Sequence, residues 1–271
     1  MPTIHDRSDV ARILDDPSWR VPEAAPGPTP FERLRSEASR FANGPAHDER
    51  RASLEARLAE LDPARLALDA GARAREALAA GGDPAEIARR IPVRTLAVAL
   101  DAADPMTAPD DAATLAAPYA TGILGDADEA LVDAAADRLL GAPPSECAAA
   151  LEAQLLVQAH AATGGLIVAV LRRAAQSPDA ATADLIGAVL RDTPPVTVTR
   201  RVAPPLDHKE NADDSADRLV ELRLDGPDRD ATGAAPPRVL AFGAGARRCP
   251  ASAHAVAITA AVVDVLRERA C

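Results

Sequence analysis

The sequence predicts a mainly α-helical protein with small β-sheets, and three observations predict it. Alanine, the residue of best helix propensity, fills 65 of the 271 positions. Apolar residues recur at helical spacing through most of the chain, with proline, glycine or aspartate where the pattern stops. Only two stretches alternate like strands, Val196-Thr197-Val198-Thr199 and Val220-Glu221-Leu222-Arg223-Leu224. Alanine supplies about half of the 48% hydrophobic fraction. It buries little area, and burial is worth about 25 cal/mol per Å², so close helix packing with modest stability for the size is expected.

The elements follow in order. Val10 to Leu14 forms a short helical piece, and the prolines at 17, 22, 26, 28 and 30 make the next stretch an extended loop. Helical patterns cover about 31–42, 47–60, 63–80 and 84–101, with Pro92 interrupting the last. Segment 102–128 is rich in Asp, Pro and Thr and is expected to be loops with short helices. A helix over 128–140 stops at Gly141. Pro143-Pro144-Ser145 then introduces the most apolar helix, about 146–175, carrying Leu151, Leu155, Leu156, Leu166, Ile167, Val170 and Leu171. A helix over 179–191 is stopped by Pro194-Pro195, because proline disfavours helical geometry in the residue before it. The two strands follow, separated by Asp-, Pro- and Gly-rich loops at 204–218 and 225–237, and a C-terminal helix runs from near Pro250 to about Arg269. No repeat and no sharp change of composition divides the chain, so 1–271 is expected to be a single domain.

Composition excludes several function classes. The net charge is −11, with 41 acidic against 30 basic residues, and only five residues are aromatic. Such a chain is a poor binder of nucleic acid, which needs basic contacts and stacking rings. No run of about 18 apolar residues is present, which argues against a membrane span. No basic segment followed by an apolar stretch opens the chain, so no secretory signal is expected. Cysteines at 147, 249 and 271 are an odd number and far apart, which suggests a reducing, cytoplasmic setting without a disulfide framework.

The informative segment is Phe242-Gly243-Ala244-Gly245-Ala246-Arg247-Arg248-Cys249-Pro250-Ala251. Its two glycines let backbone pass close to something flat or bulky. Pro250 suits a first helical turn, which places Cys249 in an N-cap region where amides and the helix dipole favour a thiolate. Arg247 and Arg248 add positive potential. Such a thiolate suits a metal ligand or a nucleophile, and an inert, buried cysteine at a helix start fits equally well. A dinucleotide-binding loop does not fit, since the third glycine is missing. Zinc does not fit either, since Cys249 and His254 make one loose pair with no second.

This segment closely resembles the heme-binding loop of the cytochrome P-450 superfamily, Phe-Gly-x-Gly-x-Arg/His-x-Cys-x-Gly/Ala, with every fixed position met. The resemblance implies a shortened cytochrome P-450 fold holding heme b, iron protoporphyrin IX. Cys249 would be the axial iron ligand, Phe242, Gly243 and Gly245 would shape the loop, and Arg247 would pair with a propionate. Asn43-Gly44-Pro45-Ala46-His47 with Arg50-Arg51 resembles the entry of the family's C helix, which implies that His47 and Arg51 hold propionates from one helix face. Pro194-Pro195-Val196 followed by Arg201-Val202-Ala203 resembles the strand after the K helix, which gives Arg201 the same role.

Leu155 to Ile167 resembles the family's I helix, but the acid–alcohol pair falls on Ala161 and Ala162. An alanine pair cannot relay protons. His160 and Thr163 are the distal residues left to substitute, against the plainer reading that they pack or touch water. The K-helix Glu-x-x-Arg falls on Ala188-Val189-Leu190-Arg191, so Arg191 has lost its glutamate and is expected to find another acid or solvent. The chain is also considerably shorter than family members. The implied function is an atypical heme-thiolate oxidoreductase, performing oxidation or oxidative coupling in bacterial secondary metabolism. Its substrate would be a small molecule, a carrier-bound intermediate or a peptide, and a ferredoxin-type donor or peroxide would drive it. The alternatives are a degenerate accessory protein that binds or activates a partner enzyme, and a heme sensor or carrier.

Overall fold

A computed structural model describes residues 1–141, 148–205, 218–233 and 235–268. Pro143-Pro144-Ser145, Cys147, Lys209 and Cys271 lie outside the described residues. Among the described residues the architecture is mainly α with one small sheet, in two compact units: Met1–Glu23 with Gly187–Cys249, and Ala24–Ile186 with Pro250–Cys271.

The first unit opens with β1 (Thr3–Ile4) and α1 (Arg7–Asp15). After α10 (Thr182–Asp192), which straddles the division, come β2 (Val198–Val202) and β3 (Leu219–Arg223). The sheet order is β1-β3-β2. β1 runs parallel to β3 with Ile4 opposite Leu222, and β2 runs antiparallel to it with Arg201 opposite Val220. One sheet face is apolar because Val220 and Leu222 alternate along β3. That face packs against Val10, Ile13 and Leu14 of α1, with Leu224 and Leu240 completing the core.

The second unit is helical: α2 (Pro30–Glu37), α3 (Gly44–Ala59), α4 (Pro63–Ala79), α5 (Pro84–Ala99), α6 (Ala108–Thr121), α7 (Glu129–Leu140), α8 (Ala148–Gln158), α9 (Gly164–Gln176) and α11 (Ser252–Glu268). The chain's prolines and aspartates set many of these starts. Asp62, Asp83 and Asp128 accept first-turn amides as N-caps, and Pro63 and Pro84 occupy the first turn, where the missing N–H costs nothing. α2 begins with a capping box made by Thr29 and Glu32. One core gathers Phe31, Leu34, Phe41, Leu115, Tyr119, Val132 and Val157. α11 lies along α4, where Ala70, Gly71 and Ala74 are buried and a Cβ on Gly71 would meet that of Ala261 at 3.7 Å.

Several expectations are corrected. Segment 102–128 contains a 14-residue helix, α6, rather than short pieces. Its Asp110 and Asp111 act as first-turn acids favoured by the helix dipole, and their partners are Arg90 and Arg138 from elsewhere in the chain. Pro92 does not interrupt α5, because Ile87, Ile91, Val93 and Leu96 bury the helix on both sides of it. β1 was unforeseen, since two residues carry no period. The helix expected over 146–175 is present, but five of its residues, Ala159–Thr163, take π geometry between α8 and α9. By length and composition the run Ala148–Gln176 could cross a membrane, contrary to the sequence expectation. Over half of its most apolar stretch is buried within the protein.

Candidate functional site

In the first unit the cysteine segment folds into a loop closed by its own backbone. The Gly243 amide donates to Leu240 O at 2.8 Å, the Arg248 amide to Gly245 O at 3.0 Å, and the Cys249 amide to Phe242 O at 2.8 Å. Gly243 and Gly245 take the left-handed conformation, with φ of 69° and 65°. A Cβ on Gly245 would stand 2.5 Å from Leu14 O and 3.0 Å from Asp15 Cα, so the loop seats directly on the end of α1. Leu240 anchors the entry in the core. Phe242, Arg247 and Cys249 remain half-buried. Helix α11 begins at Ser252, so Cys249 precedes the first helical residue by three rather than capping it.

Arg201, also in the first unit, is buried on β2. Its Nη1 donates to Thr199 Oγ1 at 3.1 Å and to Arg200 O at 2.8 Å. Arg191 has found another acid, donating from Nε to Asp192 Oδ1 at 3.0 Å, and is half-exposed.

The second unit carries the other predicted residues. His47 is buried near the start of α3, with Nδ1 3.1 Å from Asp48 Oδ1. Arg51, one turn later, donates from Nε to Glu55 at 2.6 Å. His160 and Thr163 lie together in the π segment, which sequence reading missed; the one available signal was Gly164-Gly165 inside an otherwise apolar pattern. Such segments arise where an extra residue is forced into a helix, often at functional sites. Gly164 marks a close crossing, since a Cβ there would meet Arg89 Cα at 3.1 Å and Ala88 O at 3.3 Å. His160 Nδ1 is buried with no hydrogen-bond partner among the described residues. Burial, reinforced by the charge of Arg89, pushes the His160 pKa below its ordinary value, which favours the neutral ring. Thr163 is buried, whereas Ala161 is exposed. His254, weighed as a zinc partner, directs Nε2 to Leu58 O and Leu61 O at 3.2 and 2.9 Å and serves packing.

No protein-family model matches the chain, and no curated protein matches it. Solved structures do. CYP164A2 of Mycobacterium smegmatis with econazole bound is 21% identical, with a TM-score of 0.71, covering 99% of this chain and 84% of that one. P450BioI in complex with an acyl carrier protein ligated by hexadec-9Z-enoic acid is 16% identical, with a TM-score of 0.68 and coverage of 97% and 84%. CalO2 is 14% identical, with a TM-score of 0.71 and coverage of 97% and 82%. The chain has the cytochrome P450 fold, in a length shorter than is typical for it.

That fold implies heme, and the residues present fit it. Among the described residues no group of three His, Cys, Asp or Glu gathers that could hold a bare ion. Cys249 offers a single soft sulfur on a loop closed by backbone hydrogen bonds, a donor that suits the iron of a macrocycle.

Proposed function

We propose that the chain is a heme-thiolate oxidoreductase of atypical type, with residues 1–271 working as one functional domain. The observation that carries the proposal is the Cys249 loop, closed by its own hydrogen bonds and offering a half-buried thiol, on a cytochrome P450 fold. Cys249 would hold the iron of heme b through its thiolate sulfur, with Phe242, Gly243 and Gly245 shaping its loop. His47, Arg51, Arg201 and Arg247 would neutralise the two propionates by charge-assisted hydrogen bonds. Bound heme would supply one-electron and dioxygen or peroxide chemistry.

The chain's own residues bias that chemistry. Ala161 and Ala162 provide no proton donor. His160, favoured in its neutral form, has one ring nitrogen able to accept a proton and one able to donate, and Thr163 adds a hydroxyl in the same segment. These two are the distal candidates to replace the missing acid–alcohol pair, and it is the loss of that pair at Ala161 and Ala162 that favours oxidative coupling or peroxide use over hydroxylation with the usual proton delivery. A small or carrier-bound substrate suits this reading; P450BioI was solved with an acyl carrier protein. A ferredoxin-type donor and a cytoplasmic role in bacterial secondary metabolism complete it.

The test is spectroscopic. Purified protein supplied with heme, reduced and exposed to carbon monoxide is expected to show the Soret band of thiolate ligation, and Cys249→Ala is expected to abolish it. No heme uptake, or a spectrum unchanged by Cys249→Ala, sinks the proposal. A thiolate band without turnover under any donor or peroxide would transfer support to an accessory or sensor role.

A further inference from the structure

Arg7 is the first residue of α1 and is 4% exposed, yet no carboxylate meets it among the described residues. Its Nη1 donates to Arg238 O and its Nη2 to Arg191 O, each at 2.7 Å, while Nε is buried with no partner among the described residues. A guanidinium kept buried on carbonyls alone is costly, and what it achieves is mechanical. One planar fork joins the start of α1, the last turn of α10 and the strand of chain that leads into the cysteine loop.

The next residue continues the junction. Ser8 Oγ donates to Asp228 Oδ1 at 2.8 Å and accepts from Arg238 Nη1 at 2.9 Å. The Asp228 side chain is 2% exposed, and its Oδ2 accepts the Arg238 amide at 2.8 Å. The Arg7 amide donates to Pro227 O at 2.7 Å. From Arg238 the chain passes through buried Leu240 to the bonds that close the loop on Cys249, and the far end of α1 seats Gly245. Helix α1 therefore holds the chain that leads into the cysteine loop by hydrogen bonds at its N-terminus, and the loop itself by close backbone packing at its C-terminus.

We infer that Arg7, Ser8, Asp228 and Arg238 are positioning residues that set the place of the Cys249 sulfur. The purpose of that placement rests on the heme-thiolate reading, whereas the brace itself rests on the first unit alone. It acts on the ligand's orientation without touching the bound group, as outer partners of metal ligands do.

The test compares the full-length protein with Arg7→Ala, Arg7→Lys and Ser8→Ala, and with Leu34→Ala as a control in the other unit's core. Two quantities are read: thiolate-ligated heme per protein after reduction under carbon monoxide, and the alkylation rate of Cys249 in heme-free protein, followed by peptide mass mapping. Arg7→Ala is expected to weaken heme retention about 10-fold and to raise Cys249 alkylation several-fold. Arg7→Lys is expected to follow it, because a point-charge ammonium cannot span two carbonyls as the planar fork does. Leu34→Ala is expected to lower the unfolding midpoint and leave both readouts in place. Unchanged ligation and alkylation in Arg7→Ala overturn the inference, as does full rescue by Arg7→Lys or the same effect from Leu34→Ala. Should Arg7→Ala not fold, Ser8→Ala decides, by the same directions at smaller size. If the wild type takes up no heme, the functional reading falls, and alkylation alone still decides the brace.

Discussion

Gly245 shows how much a single missing Cβ carries. Its φ of 65° costs an L-residue roughly 1–2 kcal/mol, and an alanine Cβ would also drive into Leu14 O. Gly243 shares the conformation, but its nearest obstacle to a Cβ is 3.8 Å away. Gly245→Ala is therefore expected to destabilise the protein more than Gly243→Ala and to expose the Cys249 thiol, as read by thermal unfolding and alkylation; equal effects would show that seating on α1 contributes nothing. At His160 the expectation concerns charge. Its folded pKa lies below the ordinary 6.5, first through burial and then through Arg89. The unfolded chain thus takes up a proton where the folded ring resists it, so the stability from this position is present above about pH 6.5 and is lost as pH falls toward the folded value. Histidine ring NMR should show a titration displaced downward that is absent in His160→Gln. An ordinary midpoint would remove the case for a neutral ring.

Two helices make opposite use of glycine. Gly187 lies in α10, exposed, with nothing within 4 Å of the place a Cβ would take. Gly187→Ala is expected to stabilise by roughly 0.5–1 kcal/mol, by removing the entropy cost of an unhindered helical glycine, measured by denaturant midpoint. Gly164 begins α9 at a crossing where Arg89 Cα stands 3.1 Å from a would-be Cβ. Gly164→Val is expected to cost roughly 1–3 kcal/mol and to disturb the π segment that carries His160 and Thr163. If the loss is no larger than that of Gly187→Val, the crossing is not a constraint. The two positions look alike in sequence, each a glycine within an apolar helical pattern, and only the neighbouring helix distinguishes them. The same limit explains α6: its aspartates resemble loop formers until Arg90 and Arg138 are seen to meet them.

Across the whole molecule, acid should undo what these pairs secure. Hydrogen bonds from Arg229 hold Asp9 below the ordinary 3.8, and hydrogen bonds from Arg90 do so for Asp110. At Asp228 burial pushes upward, but the Arg238 amide, Ser8 and the Arg238 charge outweigh it. The stability from these groups is fully present above about pH 4 and is lost as pH falls through their lowered folded values. A melting temperature that stays flat from pH 5 to about pH 2 would contradict that linkage. The sequence by itself determined the helical class, most helix positions, the strand β3 and the cysteine loop, because these depend on residues close in the chain: periodic apolar positions, N-terminal aspartates and prolines, glycines at left-handed turns; the alternation at 196–199 gave β2 only roughly, since the strand lies at Val198–Val202. The tertiary structure alone decided the π geometry under His160, the unbroken α5 and the brace from Arg7 to Arg238. Those depend on burial and on groups brought together over long separations, 231 residues between Arg7 and Arg238, and no local pattern records such a meeting.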